Sequence, residues 1–331
     1  MMLHAIDLHK STIEIATMAA DGEKILKETR LPATEKALRA YLAQWPASRH
    51  RVLVETSGTW YWVDDALRAH RNSELRLAHA AKVEAISSAK VKTDRVDVRT
   101  LLTMLRLNLF PEAHVISPGL RELRDLLRLR LRLVGKRTSS LNSIARLLEK
   151  YNRASVEALP QLAQVQAGFH RGQIELLDAQ VKALEKRIAR ELKPHEDVRR
   201  LRRIPGIGRL VGWTLYLEID GIERFETERK FFSYSRLSPG SDNSGPRTRS
   251  KHSRAGNRYL KLAFSHAAIR AVQRYGEITA AYRKRLRKKN PALARAWVRK
   301  ELARIVYHVL KDGVEYDNTF RGVALSRPKR V

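Results

Sequence analysis

A seven-residue repeat of apolar side chains in the middle of the chain restricts this part of the protein to long helices. Apolar residues first recur at every seventh position, at Leu120, Leu127, Val134, Leu141 and Leu148. After an interruption near Pro160, a second row is spaced alternately three and four residues apart, at Ile174, Leu177, Val181, Leu184 and Ile188. This spacing is typical of helices that pack along one another in a coiled coil. We therefore expect a coiled-coil arm over residues 116–198.

The arm has two possible roles. It can pack as a helical hairpin within one chain, or it can join two copies of the chain and also lie along nucleic acid. The second role is favoured by arginines that the pattern places on the outer face, namely Arg121, Arg124, Arg128, Arg130 and Arg132. A solvated hairpin within one chain would also carry such charges.

The residues before the arm have the pattern of a mixed α/β domain. Short apolar or β-branched runs predict five strands, over residues 2–8, 12–19, 24–31, 51–58 and 75–80. Helical patterns begin at Thr34, at Tyr61 and at Asp94, where Thr93 can serve as the N-cap. Three strands, then helix, strand, helix, strand and helix, is the element order of an RNase H-like fold, although many α/β domains share it. We predict an RNase H-like domain over residues 1–115.

The residues after the arm, 199–331, predict a second, mostly helical domain. Helices are expected over residues 257–275 and 292–311. Gly276 and Gly313 stand just beyond their ends, where glycine often stops a helix.

The charge of the chain favours a polyanionic partner. The 331 residues include 65 Lys or Arg and 35 Asp or Glu, which gives a formal net charge of +30. Such a charge opposes compaction and attracts nucleic acid, since each phosphate contact releases counterions. The absence of cysteine excludes disulfides and zinc–thiolate sites. Because neither an apolar signal core nor a membrane-length apolar run is present, we expect a cytoplasmic protein.

Four carboxylates in the first domain are candidate metal ligands. Asp7 lies within the first strand, where an acid is disfavoured, and Glu55 ends an apolar strand. Asp94 and Asp97 are three residues apart on a helix and so share a face. Taken singly, each has an ordinary alternative as a cap, a turn residue or an acid near a helix N-terminus. Taken together they suit Mg²⁺, and two such ions can stabilise the attacking and leaving oxygens of a phosphoryl displacement.

A glycine-containing turn and a basic loop are candidate phosphate contacts. The turn Ile204-Pro205-Gly206-Ile207-Gly208 lies between two helical patterns and resembles a helix-hairpin-helix, with Gly206, Gly208 and Arg209 as the predicted contacts. A tight turn without any ligand is the alternative. The loop over residues 237–257 is rich in Gly and Pro. Its basic residues suggest phosphate binding, through Arg247, Arg249, Lys251 and Arg254.

Three segments of the first domain resemble the signature blocks of the DEDD-type insertion-sequence transposases. These segments are AIDLHK, VLVETSGTW and KTDRVDVRTL. In that family an RNase H-like domain, related to Holliday-junction resolvases, carries Asp, Glu, Asp and Asp as metal ligands. The resemblance carries these roles to Asp7, Glu55, Asp94 and Asp97. The P-G-I-G turn also occurs in the C-terminal domain of the family.

The same resemblance selects a serine in the basic loop. The family has Leu-x-Pro followed by Ser-Gly, with the serine five residues after the proline, and then a basic Ser-Lys/Arg-x-Gly segment before a helix. Leu237 and Pro239 match this pattern, so Ser244 is the expected nucleophile. Ser241 is the second candidate, because the loop before Ser253 can be shorter than in relatives.

The resemblance implies an enzyme that cuts and exchanges DNA strands through a phosphoserine–DNA intermediate. It further implies donor and target duplex DNA, a structured guide RNA, and a dimer or tetramer in which acid and serine domains of different subunits meet. Two alternatives are a metal-dependent Holliday-junction-type endonuclease without a covalent intermediate and a non-enzymatic basic nucleic-acid-binding protein.

Overall fold

The computed structural model describes residues 1–56, 59–70, 72–80, 82–83, 94–193, 195–238, 240–242, 249–251 and 256–316. The chain forms two compact units, which are Met1–Ile116 and Ser117–Val331. A further division of the helical part into an arm, residues 116–198, and a C-terminal domain, residues 199–331, remains a prediction.

The first unit is built on one mixed sheet. Its strands are β1 (Met2–Leu8), β2 (Thr12–Ala19), β3 (Ile25–Pro32), β4 (His50–Glu55), β5 (Ser73–Ala78) and the short β6 (Glu112–Ala113). They are arranged in the order β3-β2-β1-β4-β5-β6. β1 pairs in parallel with β4, and β4 with β5, whereas the pairs β1–β2, β2–β3 and β5–β6 are antiparallel.

Helices cover both faces of the sheet. They are α1 (Glu35–Leu42), α2 (Tyr61–Arg68) and α3 (Asp94–Arg106). One face packs Ile6 and Val54 into a core that also holds Leu38 of α1 and Val63 of α2. Because side chains alternate along a strand, the residues next to Ile6 and Val54 in their strands point to the other face, where α3 packs. The predicted mixed α/β domain is confirmed.

The second unit begins with two long helices, α4 (Pro118–Lys150) and α5 (Gln161–Leu192). Arg130 pairs with Glu185 at 2.8 Å and Arg137 with Asp178 at 2.5 Å. From the first pair to the second, the residue number rises on α4 and falls on α5, so the two helices are antiparallel. The predicted row from Ile174 to Ile188 is the half-buried to buried stripe of α5.

The arginines expected on the outer face of α4 are placed differently. Arg121 and Arg124 are buried, and Arg128 is half-buried against Glu218. Only Arg132 of the predicted set is exposed. This prediction was wrong because a seven-residue repeat marks one packed face, whereas the start of α4 is covered on a second side by the helix of residues 209–219.

Shorter helices complete the second unit, and the predicted mostly helical C-terminal part is confirmed. They are α6 (Glu196–Arg203), α7 (Arg209–Ile219), α8 (Glu228–Tyr234), α9 (Arg258–Arg274), α10 (Gly276–Leu286) and α11 (Pro291–Lys311). Gly313 ends α11 with a φ of +63°, as predicted. Gly276 instead begins α10, so the expected stop is a junction between two helices. Among the helices of the described residues, none is both long and apolar enough to cross a membrane.

Candidate active site and nucleic-acid contacts

The strand register of the first unit brings two of the predicted acids side by side. Ile6 of β1 lies opposite Val54 of the parallel strand β4, and the next residues along the two strands are Asp7 and Glu55. Neighbouring strands are about 4.8 Å apart. Asp7 and Glu55 therefore flank each other at the carboxyl ends of these strands, on the face opposite the core residues Ile6 and Val54.

Two ion pairs fix the direction of α3 across that same face. Near its C-terminal end, Arg106 pairs with Glu23, which follows β2 close to the start of β1. Further back in the helix, Arg99 donates to Glu28 of β3 at 2.7 Å. Because the end of α3 lies near the start of β1, α3 runs antiparallel to β1.

The antiparallel course of α3 carries its first turn to the acid end of the sheet. Asp97 is half-buried and precedes Val98, which is fully buried against the sheet. Asp94 is the first residue of α3, but its side chain lies outside the described residues, as does the predicted N-cap Thr93. The backbone thus brings the Asp7, Glu55 and Asp97 positions to one edge, which we name the acid edge.

Among the described residues, the surroundings of Asp7 include a histidine and an acid from the neighbouring strand β2. His9 Nε2 lies 3.3 Å from Asp7 Oδ2. Glu14 of β2 is paired with Asp7 in the strand register, so the two side chains share a face. Glu14 is buried, and its carboxylate lies 3.5 Å from Nε of Arg30. Sequence reasoning missed Glu14, although its alternation with Ala16 and Met18 in β2 could have revealed it.

The acid edge suits the chemistry of a hard divalent cation. Mg²⁺ binds carboxylate oxygens, needs only one or two of them and keeps several waters. Within the described residues, no three His, Cys, Asp or Glu side chains are grouped to hold a metal ion. The adjacent Asp7 and Glu55 fit a Mg²⁺ ion that takes its other ligands from water and substrate, and the four-acid set remains a proposal.

In the second unit, Ser244, Arg247 and Arg254 lie outside the described residues. The backbone on either side of Ser244 forms two short antiparallel strands, β7 (Gly240–Asp242) and β8 (Arg249–Lys251). Their register pairs Ser241 with Ser250 and Asp242 with Arg249. The second serine candidate, Ser241, is thus a strand residue, whereas Ser244 falls in the segment that joins the two strands.

The glycine turn between α6 and α7 has two different faces. Gly206 has a φ of +79°, and a Cβ atom at this position would lie 2.2 Å from the carbonyl oxygen of Ala267. Its missing side chain therefore lets the turn pack closely on α9. Gly208 is exposed, begins α7 as its N-cap and has open space where a Cβ would stand. Arg209 Nη2 donates to Glu185 at 3.0 Å.

Comparison with known protein families gives two matches that do not overlap. Residues 5–153 match a transposase model for the DEDD domain of IS110-type elements. Residues 198–284 match the transposase model of the IS116/IS110/IS902 family. The first match contains all four predicted acids, and the second contains the glycine turn and Ser244.

Two curated relatives agree with these matches. A putative transposase y4pF/y4sB of Sinorhizobium fredii is 26% identical over 179 residues, which are 52% of this chain and 46% of that protein. The transposase for insertion sequence element IS1111A of Coxiella burnetii is 28% identical over 174 residues, 47% of this chain and 48% of that protein. The alignments thus span about half the length of each relative.

The two family matches define the class of the chain, which is that of the insertion-sequence transposases. The chain belongs to the DEDD-type transposases of the IS110 group.

Proposed function

We propose that the chain is a DNA transposase that cuts and exchanges DNA strands through a phosphoserine–DNA intermediate. Its first unit supplies an RNase H-like DEDD site and its second unit supplies the nucleophile Ser244. The observation that carries the proposal is the strand register that sets Asp7 beside Glu55 at the end where α3 begins. Membership of the DEDD transposase family supports it independently.

The proposed reaction starts with the Ser244 hydroxyl, a weak nucleophile that must lose its proton as it attacks. A bond forms between the serine oxygen and the phosphorus, the bond from phosphorus to one strand end breaks, and that end leaves as a hydroxyl after taking up a proton. The new ester retains the phosphodiester linkage. A hydroxyl of a second strand then displaces the serine, so strands are rejoined without ATP.

The acid edge would hold the divalent cations. Asp7, Glu55, Asp94 and Asp97 are the proposed ligands, and bound Mg²⁺ would polarise the scissile phosphate and stabilise developing negative charge. The contacts that position DNA are assigned to the basic loop and to the glycine turn, through Arg247, Arg249, Lys251, Arg254, Gly208 and Arg209. At Gly206, by contrast, the glycine already has a packing role against α9.

The covalent adduct tests the central step. Wild-type protein, incubated with Mg²⁺ and a DNA containing the ends of its element, should give a protein–DNA band on a denaturing gel. Ser244→Ala should abolish the band, whereas Ser241→Ala should keep it. If Ser244→Ala cuts DNA at the wild-type rate, the serine mechanism is wrong and a hydrolytic nuclease takes its place.

The acids are tested by matched carboxylate substitutions. Asp7→Asn and Glu55→Gln should each lower the rate of adduct formation by roughly 100-fold or more, since a metal site contributes several kcal/mol of charge stabilisation. Glu74→Gln, at an exposed strand residue that pairs with Arg51, should leave the rate unchanged. Full activity of Asp7→Asn, or activity without divalent cations, would contradict the metal site.

A structured RNA and a second copy of the chain complete the proposal. Treating the purified complex with ribonuclease before adding DNA should abolish strand exchange if an RNA guides the choice of donor and target. The second copy is expected to bind the outer face of α5. Leu162, Val165, Phe169 and Leu176 lie on it with 84%, 54%, 74% and 60% of their surface exposed.

The composition around this exposed row fits a second copy of the chain better than it fits nucleic acid. The row repeats with spacings of three, four and seven residues, typical of a helix–helix seam. Residues 161–177 contain one arginine, Arg171, no lysine, one histidine, His170, and one acid, Glu175, in a chain of net charge +30 with histidines neutral. A neutral surface lets two copies approach without the repulsion that the rest of the surface would produce.

A further inference from the structure

A buried carboxylate in the second unit connects helix α4 to the C-terminal end of the basic loop, residues 237–257, which we call the serine loop because it contains Ser244. Glu218 of α7 has only 1% of its side chain exposed and is surrounded by donors. Arg124 Nε donates to its Oε2 at 3.0 Å, and Arg128 donates to both oxygens at 2.7 and 2.8 Å. Asn257 Nδ2 donates to Oε2 at 2.7 Å. We call these four residues the loop clamp.

Asn257 occupies the point where the serine loop re-enters regular structure. Its Oδ1 accepts from the backbone N–H groups of Tyr259 and Leu260 at 2.8 and 3.1 Å, so the oxygen caps α9. The amide nitrogen of the same side chain is not needed for the cap and donates to Glu218. One residue therefore fixes the start of a helix and ties it to the buried carboxylate.

The two ends of the serine loop meet beside Asn257. Its backbone N–H donates to the carbonyl of Tyr234, at the end of α8, at 2.6 Å. Arg236 Nε donates to the carbonyl of Gly256 at 2.7 Å. Gly256 has a φ of +95°, and a Cβ there would lie 2.5 Å from the Tyr234 oxygen. The start and the end of the serine loop are therefore packed closely together, where residues 234–236 contact residues 256–257, and we call this contact the neck.

The charges of the clamp are better suited to fixing a geometry than to stabilising the fold. Burial alone raises the pKa of Glu218, but the hydrogen bond from Arg128 and the charges of Arg124 and Arg128 outweigh it, so this pKa is lowered and the carboxylate is ionised. A buried ion pair adds little net stability, because desolvation offsets the attraction. The buried carboxylate of Glu218, however, needs its donors in one arrangement, and this need holds Asn257 and α4 in a fixed relative position.

We infer that Glu218 is a positioning residue, which fixes the neck of the serine loop through Asn257 and anchors it on α4 through Arg124 and Arg128. The inference rests on the proposed function, because it takes Ser244, which follows β7 in this loop, as the nucleophile. A small displacement of the neck would shift both ends of the chain segment that carries Ser244, and an error of about 1 Å in the position of an attacking group can lower a rate about 100-fold.

Two variants test the clamp. Glu218→Gln keeps the size of the side chain, but its amide NH₂ group is itself a donor and would face the donors of the other three clamp residues. Asn257→Ser keeps a good helix cap and loses only the donor to Glu218, so it carries the test even where Glu218→Gln fails to fold. The matched control is Glu315→Gln, since Glu315 is also shared by two arginines one turn apart, Arg199 and Arg203.

Two measurements on the full chain separate positioning from folding and from the reaction itself. In Asn257→Ser, the single-turnover rate of adduct formation at saturating DNA should fall about 10- to 100-fold. DNA affinity should stay at the wild-type value, and the melting temperature should fall by only a few degrees, because one hydrogen bond to a buried carboxylate is lost. Hydrogen exchange of the β7 and β8 amides should be faster in the free protein, while exchange in β1 and β4 stays unchanged. Glu315→Gln should match the wild type in all of these.

The outcomes distinguish the clamp from the proposed function. If Asn257→Ser forms the adduct at the wild-type rate and leaves hydrogen exchange of β7 and β8 unchanged, the inferred positioning role of the clamp is wrong. The serine mechanism is then unaffected. If the wild type forms no adduct but the variant still speeds exchange of the loop, the clamp stands and the role of Ser244 is wrong.

Discussion

At the scale of single residues, the two glycines of the turn before α7 have opposite environments although they are two positions apart. Gly206 has a positive φ and packs against the backbone of α9, whereas Gly208 has a φ of −83° and faces open space. A pattern such as P-G-I-G cannot make this distinction, because the partner of Gly206 is Ala267, about sixty residues further along the chain.

Alanine substitution should separate the two glycines. Gly206→Ala requires a left-handed backbone, which costs about 1–2 kcal/mol for a residue with a Cβ. It also sets that Cβ against the Ala267 carbonyl, so the free energy of unfolding should fall by at least about 2 kcal/mol. Gly208→Ala should lower it by less than about 1 kcal/mol. Urea unfolding at constant pH measures both, and equal losses would contradict the assigned packing role of Gly206.

A buried histidine in the first unit predicts a pH-dependent stability. His4 is fully buried, with Nδ1 2.8 Å from the Thr17 hydroxyl and Nε2 3.0 Å from Nδ1 of His50. Burial, followed by the nearby His50 and His70, lowers the pKa of His4 from 6.5 to about 3. Below pH 6.5 the unfolded chain therefore binds a proton at His4 that the folded chain does not. The free energy of unfolding consequently decreases as the pH is lowered.

The size of this effect follows from linkage. His4 should remove about 1.4 kcal/mol of stability for each pH unit between about 6 and about 4. The pKa of His50 is lowered in the same direction, mainly by burial, and adds to the slope. His4→Gln should flatten the dependence on pH in urea unfolding, whereas His266→Gln, at an exposed histidine of α9, should not. An unchanged slope in His4→Gln would contradict the prediction.

At the scale of elements, the sequence predicted what alternation along one strand or spacing along one helix can encode. Five of the six described strands of the sheet and the first turn of α3 follow from such local patterns, which is why Asp7, Glu55, Asp94 and Asp97 could be selected. β6 has only two residues and gives no periodicity. Glu218 and its donor Arg124 are separated by 94 residues, so no local pattern could reveal the clamp.

The exposed row of α5 carries an element-scale prediction. If a second copy covers this face, Leu162→Glu combined with Phe169→Glu should set two charges into the interface. Burying such side chains is worth about 1.5–3 kcal/mol each, so the dissociation constant of the oligomer should rise by roughly 100-fold or more. Sedimentation velocity over a concentration series measures the change.

The control for the α5 row is Leu293→Glu. Leu293 lies on α11 and is also exposed, at 54%. This single variant should sediment as the wild type does. An α5 double variant that keeps the wild-type mass would show that the row is not the interface.

At the scale of the whole molecule, the proposed acids and the proposed nucleophile belong to different compact units. Asp7 lies in Met1–Ile116, and Ser244 lies in Ser117–Val331. Each unit has its own hydrophobic core, formed around Ile6 in one and around Phe264 in the other. A chain built in this way can supply the two halves of a reaction centre to different partners in an oligomer.

Mixing two inactive variants tests whether the halves come from different subunits. Asp7→Asn has an impaired acid edge and Ser244→Ala lacks the nucleophile, so the first alone should form adduct at no more than about 1% of the wild-type rate and the second should form none. If an acid edge acts with the serine of another subunit, a mixed dimer contains one intact pair. With random exchange, half the dimers are mixed and half of their centres are intact, so about a quarter of wild-type adduct formation should return. If both halves come from one subunit, every mixture stays inactive, and a wild-type protein carried through the same dissociation and reassembly shows that exchange itself preserves activity.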